Sequence, residues 1–128
     1  MRLLLDTNIL VPLLDNSLSS LPLAIRELLE TQADDFFASV GSLWEMAIKA
    51  RLGKLKLPCN EQYLPDAFQR LGLRLLAITP VQATTSVNPW PRTDDPFDRL
   101  FLSICLVENL LLVTIDRELR DHPLAWRA

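Results

Sequence analysis

Arg2-Leu3-Leu4-Leu5-Asp6-Thr7-Asn8 follows Met1, and Leu110-Leu111-Leu112-Val113-Thr114-Ile115-Asp116 stands near the end of the sequence. Each is a short, near-continuous apolar run followed by small hydrogen-bonding residues and an acid. Runs of this kind, separated by helices, mark strands covered on both faces, which is the pattern of a parallel sheet. The intervening sequence supplies the helices. Helical apolar spacing over 21–31, with Ser19 or Ser20 as cap, predicts a first helix. A short strand follows over 36–38, then a helix over 42–52 stopped by Gly53. A further helix over 61–71 ends at Gly72 and leads into a strand over 73–78. A short helix is expected over 79–86, and Pro89 and Pro91 make 87–95 a loop. The helix Pro96–Glu108, the strand 110–114 and a helical turn over 117–120 complete the pattern. No repeat, low-complexity tract or linker interrupts it, so residues 1–128 read as one α/β domain, a central parallel sheet with helices on both faces.

At 128 residues and 49% hydrophobic content, the chain can bury a core without disulfides or a structural metal. Its apolar runs fall far short of the roughly 20 residues of a membrane span. The first strand starts directly after Met1-Arg2, leaving no room for a signal sequence, and a cytoplasmic location is expected. Cys59 and Cys105 have no metal-ligand spacing and read as unpaired thiols. The net charge of −3 disfavours non-specific binding of nucleic acid, since affinity for phosphates comes from Lys and Arg. An RNA substrate would need a bound cation and a local basic segment.

Ligands of open parallel sheets bind beyond the C-terminal strand ends. Asp6 follows the first strand, and Asp116 lies two residues past Thr114, with Thr7, Asn8 and Thr114 beside them to orient carboxylates. Glu45 and Asp98 stand near helix starts. Each acid alone has a structural explanation. Asp6 can begin a turn or cap a helix. Glu45 forms a capping box with Ser42 and a helical pair with Lys49. Asp95 caps the helix that Pro96 opens, Asp98 suits the helix dipole, and Asp116 starts a turn. Jointly, all can converge on one crevice, where unpaired carboxylates repel by about 4 kcal/mol per pair at 4 Å and an effective dielectric near 20. A cation or a raised pKa must relieve this. Oxygen-only ligands select a hard ion, Mg²⁺ or Mn²⁺.

Other chemistries lack their residues. His122 is the one histidine and is expected to face solvent in the C-terminal tail. That removes a histidine pair and a Ser-His-Asp triad, and three glycines leave no phosphate loop. Lys49, Arg51, Lys54 and Lys56 form a basic segment, and Arg92 and Arg99 flank Asp95-Pro96-Phe97-Asp98. These are candidate contacts to RNA backbone, or a solvated face. Trp90, in a loop between prolines, is a candidate for stacking a base, while Trp44, in register with Ile48 and Leu52, reads as core.

Four segments taken in order, Leu3-Leu4-Leu5-Asp6-Thr7-Asn8, Ser42-Leu43-Trp44-Glu45-Met46-Ala47-Ile48-Lys49-Ala50-Arg51-Leu52-Gly53-Lys54-Leu55, Asp95-Pro96-Phe97-Asp98-Arg99-Leu100 and Leu112-Val113-Thr114-Ile115-Asp116, resemble the PIN-domain toxins of the VapC type. The resemblance implies a metal-dependent endoribonuclease leaving a 5′-phosphate and a 3′-hydroxyl. It carries the acidic site onto Asp6, Glu45, Asp98 and Asp116, with Asp95 as a cap or outer acid. It also implies a homodimer and inhibition by a cognate antitoxin in a bacterial or archaeal toxin–antitoxin pair. The Leu-rich helices over 21–31 and 61–71 agree with apolar surface covered by partners. Two positions depart from relatives, which often carry His where Asn8 and Thr93 stand. Competing classes are a protein-binding module on the same fold and a metal-dependent phosphoesterase acting on DNA.

Overall fold

The computed structural model describes residues 1–31 and 35–128. Four strands, β1 (Arg2–Leu5), β2 (Asp35–Ser39), β3 (Arg74–Leu76) and β4 (Leu111–Val113), form a parallel sheet in the order β3-β2-β1-β4. The helices are α1 (Thr7–Leu14), α2 (Leu23–Glu30), α3 (Val40–Arg51), α4 (Leu64–Arg70), α5 (Pro80–Thr84) and α6 (Pro96–Glu108). The chain lays down β1, β2 and β3 in one direction and then returns to place β4 on the other side of β1. Strand order therefore reverses between β1 and β4, which is where such sheets open a crevice at their C-terminal ends.

Alternation along the strands sends side chains to two cores. Leu3, Leu5, Ala38 and Val113 pack with Ile9 and Leu10 of α1, Ile25 and Leu28 of α2, Met46 of α3, and Leu64 and Phe68 of α4. Leu4, Phe37 and Leu112 pack on the opposite face with Phe101, Leu102, Ile104 and Cys105 of α6. Helices cover both faces, as the apolar runs require. At Gly41, a Cβ would stand 3.0 Å from Leu100 Cδ2 and 3.3 Å from Phe101 Cε1, so α3 and α6 approach closely there. Among the described residues no helix is long and apolar enough to cross a membrane.

Several local expectations are corrected. The helix α1 lies outside every element expected from the sequence. Pro12 sits inside it, and Asp6 caps it by accepting from Thr7 N. The helix expected over 21–31 starts at Leu23, after a 3₁₀ turn (Leu18–Ser20) and Pro22, and neither Ser19 nor Ser20 caps it. The helix expected over 61–71 divides into a 3₁₀ turn (Glu61–Tyr63) and α4, and the strand expected over 73–78 shortens to Arg74–Leu76.

At α3 the cap is Ser39, whose hydroxyl accepts from Gly41 N at 2.9 Å; Ser42 makes no capping box with Glu45. The face turned inward carries Gly41, Ser42, Glu45 and Met46. Trp44, expected in the core, lies off that face and is 62% exposed.

His122 is buried, against the expectation of a solvent-facing tail residue. Its Nδ1 accepts from Leu124 N at 3.1 Å, so the proton sits on Nε2, which donates to the Pro89 carbonyl at 2.9 Å. The imidazole thereby joins the proline loop to the C-terminal segment, whose Ala125 bridges Leu112 beside β4. His122→Ala strands both backbone partners and should cost about 1–3 kcal/mol, measured by urea denaturation. An exposed tail histidine would change stability by less than about 0.5 kcal/mol.

Candidate active site

The ends of β1 and β4 start the site. Asp6 N donates to the Val113 carbonyl at 3.0 Å, continuing the ladder one residue past the end of β1 onto the last residue of β4. This fixes Asp6 beside Thr114. The Asp6 carboxylate accepts from Thr7 N at 2.7 Å through Oδ1 and from Thr114 Oγ1 at 2.7 Å through Oδ2. The Thr114 hydroxyl in turn accepts from the Asp116 amide at 3.0 Å and from Asn8 Nδ2 at 3.3 Å. One hydroxyl thus positions Asp6, the turn carrying Asp116, and Asn8. Asp116 caps its own turn through Glu118 N.

Glu45 reaches the site from the inner face of α3. Its Oε1 lies 2.5 Å from Thr7 Oγ1 and its Oε2 is 2.7 Å from Lys49 Nζ. Thr7 has a single hydroxyl hydrogen, which goes to the carboxylate, so the Ser42 hydroxyl 3.0 Å away serves as donor to Thr7. Hydrogen bonding to Glu45 raises the Lys49 pKa above its ordinary value, opposed by partial burial.

Asp98 comes from the first turn of α6. Asp95 caps that helix by accepting from Phe97 N at 2.8 Å, and Thr93 Oγ1 donates to Asp98 Oδ2 at 3.0 Å. Thr93 also accepts from the Asp95 amide at 3.0 Å. Thr93-x-Asp95 and Thr114-x-Asp116 therefore make the same local turn. In each, the hydroxyl accepts from the amide two residues on and donates to a buried carboxylate elsewhere. Sequence reasoning reads Thr93 only as a departure from relatives and Ser42 only as a cap, and misses both as hydrogen-bond partners within the site. The repeated Thr-x-Asp spacing is the signal that points to Thr93.

Asp6, Thr7, Asn8, Glu45, Asp95, Asp98 and Asp116 line one cleft of about 290 Å³, with Lys49 and Lys54 at its rim and Val11 and Leu55 as apolar wall. Of the remaining expected contacts, Arg51 pairs with Glu61 at 2.8 Å, away from the cleft. Arg92, Arg99 and Trp90 also lie outside it, lining cavities past the proline loop.

Burial raises the Asp6 pKa to about 6, the hydrogen bonds from Thr114 and Thr7 oppose the rise, and Glu45 and Asp116 add repulsion. Burial likewise raises Asp98 to about 7, opposed by Thr93 and reinforced by Asp6, Asp95 and Asp116. Among the described residues no three acidic, His or Cys side chains are drawn together closely enough to enclose an ion as they stand. The donors facing the cleft are nonetheless carboxylates and hydroxyls, a set that suits Mg²⁺ or Mn²⁺, and a cation there would offset the cost of burying charge on Asp6 and Asp98 and the smaller repulsion between the acids.

The PIN domain family model matches residues 3–123. The chain belongs to the PIN domain family. A chain in the crystal structure of VapBC2 from Rickettsia felis bound to a DNA fragment from their promoter is similar to this PIN domain, with TM-score 0.61 and 19% identity over 98% of this chain and 96% of that one. At that identity the likeness speaks for the fold. No curated protein matches the sequence. The family and the α/β architecture anticipated from the sequence motifs are both borne out.

The raised pKa values fix a pH dependence. A carboxyl whose folded pKa lies above its unfolded value stabilises the fold at low pH, and this contribution is lost as pH rises through about 6 for Asp6 and about 7 for Asp98. Mn²⁺ binding should release protons at pH 6 and almost none at pH 8, with affinity falling as pH drops below 7. Calorimetry in buffers of different ionisation enthalpy measures this. Proton release that is equal at both pH values contradicts the assignment.

Proposed function

We propose that the protein is a divalent-cation-dependent endoribonuclease and serves as the toxin of a toxin–antitoxin pair. The observation that carries the nuclease reading is the convergence of Asp6, Glu45, Asp98 and Asp116, from four separate segments, on one cleft where burial works against the charge of two of them. A fold that only bound a protein partner would gain nothing from that electrostatic cost. Asp6, Asp98 and Asp116 would hold the ion, and Glu45 would orient the attacking water. When bound, the ion supplies a compact positive charge that offsets the carboxylates and the attacked phosphate and lowers the pKa of water. Thr114 and Thr93 keep the carboxylates of Asp6 and Asp98 in place, and Thr7 fixes one oxygen of Glu45. Lys49 and Lys54 at the rim attract the RNA backbone. In-line attack by water then leaves a 5′-phosphate and a 3′-hydroxyl.

The toxin role is supported by the VapC-type motifs and by the likeness to a chain of VapBC2. Apolar surface agrees with protein partners. Leu23 of α2, Val40 and Trp44 of α3, Tyr63, and Leu71 at the end of α4 are all exposed. We assign this surface to a second copy of the chain and to an antitoxin segment, which would inhibit by placing Arg or Lys among the carboxylates.

Two aspartates three residues apart give the test. Asp98→Asn should lower the single-turnover cleavage rate of single-stranded RNA by about a hundredfold or more, roughly 3 kcal/mol of barrier, with little change in stability. Asp95→Ala should cost about 1 kcal/mol of stability, as for a lost helix cap, and reduce the rate only partly. Chemical denaturation and cleavage of both variants decide the matter. An essential Asp95 with a dispensable Asp98 would overturn the assignment of ligands.

A further inference from the structure

Trp44 and Trp90 are equally exposed, at 62% each, but their surroundings differ. Trp44 stands among Val40, Leu43 and Ala47, and its ring meets Phe97 edge-on with centroids 6.2 Å apart. Trp90 stands among cations. The Arg99 guanidinium lies over its ring, 4.1 Å from the centroid. Arg99 is itself held by the Thr93 carbonyl at 3.1 Å from Nε, and it pairs with Asp94 at 3.5 Å. With one face covered by a fixed guanidinium, the exposure of the indole belongs to its other face and edges.

Trp90 also forms a wall common to two cavities. One, of about 310 Å³, lies between Trp90, Arg99 and the 84–86 segment, and its size falls at the lower end of small-ligand sites, roughly 300 to 1,000 Å³. The other brings Arg92 and Arg117 beside the ring, with Glu118 and Asp121 on the same rim. Neither shares a lining residue with the acidic cleft, but each is lined by chain neighbours of cleft residues. Asp95 and Asp98 face the cleft while Pro96 and Arg99 of the same helical turn face the first cavity, and a helix is only about 10 Å across with its side chains. Arg117 follows Asp116 directly in the chain.

We propose that Trp90 is a stacking platform for an unpaired nucleobase next to the scissile phosphate, with Arg99 backing the ring and Arg92 and Arg117 meeting the adjoining backbone phosphate. The proposal rests on the nuclease reading for the position of that phosphate. An indole backed by a cation and open on its other face offers the π-surface that a base needs, and a base inside a duplex cannot reach it. The ring is already held, so little side-chain freedom is lost on binding. Selection for single strands follows from this wall of the site, whereas the carboxylates contact only phosphate and water.

Binding measured in chelator, where no cleavage occurs, separates this proposal from the nuclease reading. A short single-stranded RNA should bind Trp90→Ala about tenfold more weakly than wild type, in the range found for loss of one stacked base. Trp90→Phe should keep most of the affinity, and weak binding of a duplex of the same sequence should be unaffected. Single-stranded DNA should lose affinity by a similar factor, because stacking reads the base rather than the sugar. An abasic site at one position should weaken wild type and add nothing to Trp90→Ala. The largely exposed ring predicts folded variants, with the melting temperature of Trp90→Ala lowered by about 5 °C or less through loss of its contact with Arg99 and that of Trp90→Phe changed less. Equal affinity of wild type and Trp90→Ala for single strands, or an equal loss for duplex, would overturn the proposal. A wild-type protein that binds through Trp90 but never cleaves would overturn the nuclease reading instead.

Discussion

The hydrogen bond from Thr114 to Asp6 joins the end of β4 to the end of β1 at the point where strand order reverses. Everything in the cleft is placed relative to it. Asp6 is at once the cap of α1, the extension of the ladder through Val113, and the deepest carboxylate of the site. The hydroxyl that binds it also accepts from the Asp116 amide, so the second acid is hung from the first. Without this link the parallel pairing of β1 and β4 would still form, but the two acids would lose their common support.

The same device recurs against the same difficulty. Carboxylates gathered in a half-dry cleft repel one another, and burial deepens the penalty. Thr93 donates to Asp98 and Thr7 to Glu45, as Thr114 does to Asp6, while Lys49 neutralises the outer oxygen of Glu45. These contacts hold the acids apart and partly satisfied, and the elevated pKa values of Asp6 and Asp98 measure what remains uncompensated. A structural role for the cluster would favour replacing the acids by neutral residues. Their gathering in one cleft argues for a ligand that needs negative charge.

The sequence shows most of this wherever one residue has one local job. The apolar runs at the ends of the chain define β1 and β4, and Asp95-Pro96 announces α6 and its cap, with Asp98 one turn in. Legibility fails where two local solutions compete. Ser39 and Ser42 are both plausible caps for α3, and Ser39 takes the role. Separately, the apolar spacing of Trp44, Ile48 and Leu52 competes with that of Gly41, Ser42, Glu45 and Met46, and the second set faces inward. Pro12 conceals α1 because proline inside a helix normally breaks it, although the cap at Asp6 and the buried Ile9 and Leu10 hold this one. His122 is concealed because its partners, Pro89 O and Leu124 N, are backbone groups that carry no mark in the sequence. Thr93 is singled out by the resemblance as a departure, but its role as the partner of Asp98 is visible only once its turn is seen to repeat that of Thr114. Arg51, which lies within the basic segment, is taken by Glu61 across a loop that periodicity does not describe.

The central claim is that the acidic cleft makes this PIN domain a nuclease by holding a divalent cation. The direct measurement is cleavage of a single-stranded RNA by chelator-stripped protein before and after Mn²⁺ is returned, with Asp6→Asn run alongside. The account predicts no cleavage when stripped, saturable recovery with added Mn²⁺ in the wild type, and no recovery in the variant despite a retained fold. Cleavage that persists in chelator, or equal recovery in Asp6→Asn, would contradict it.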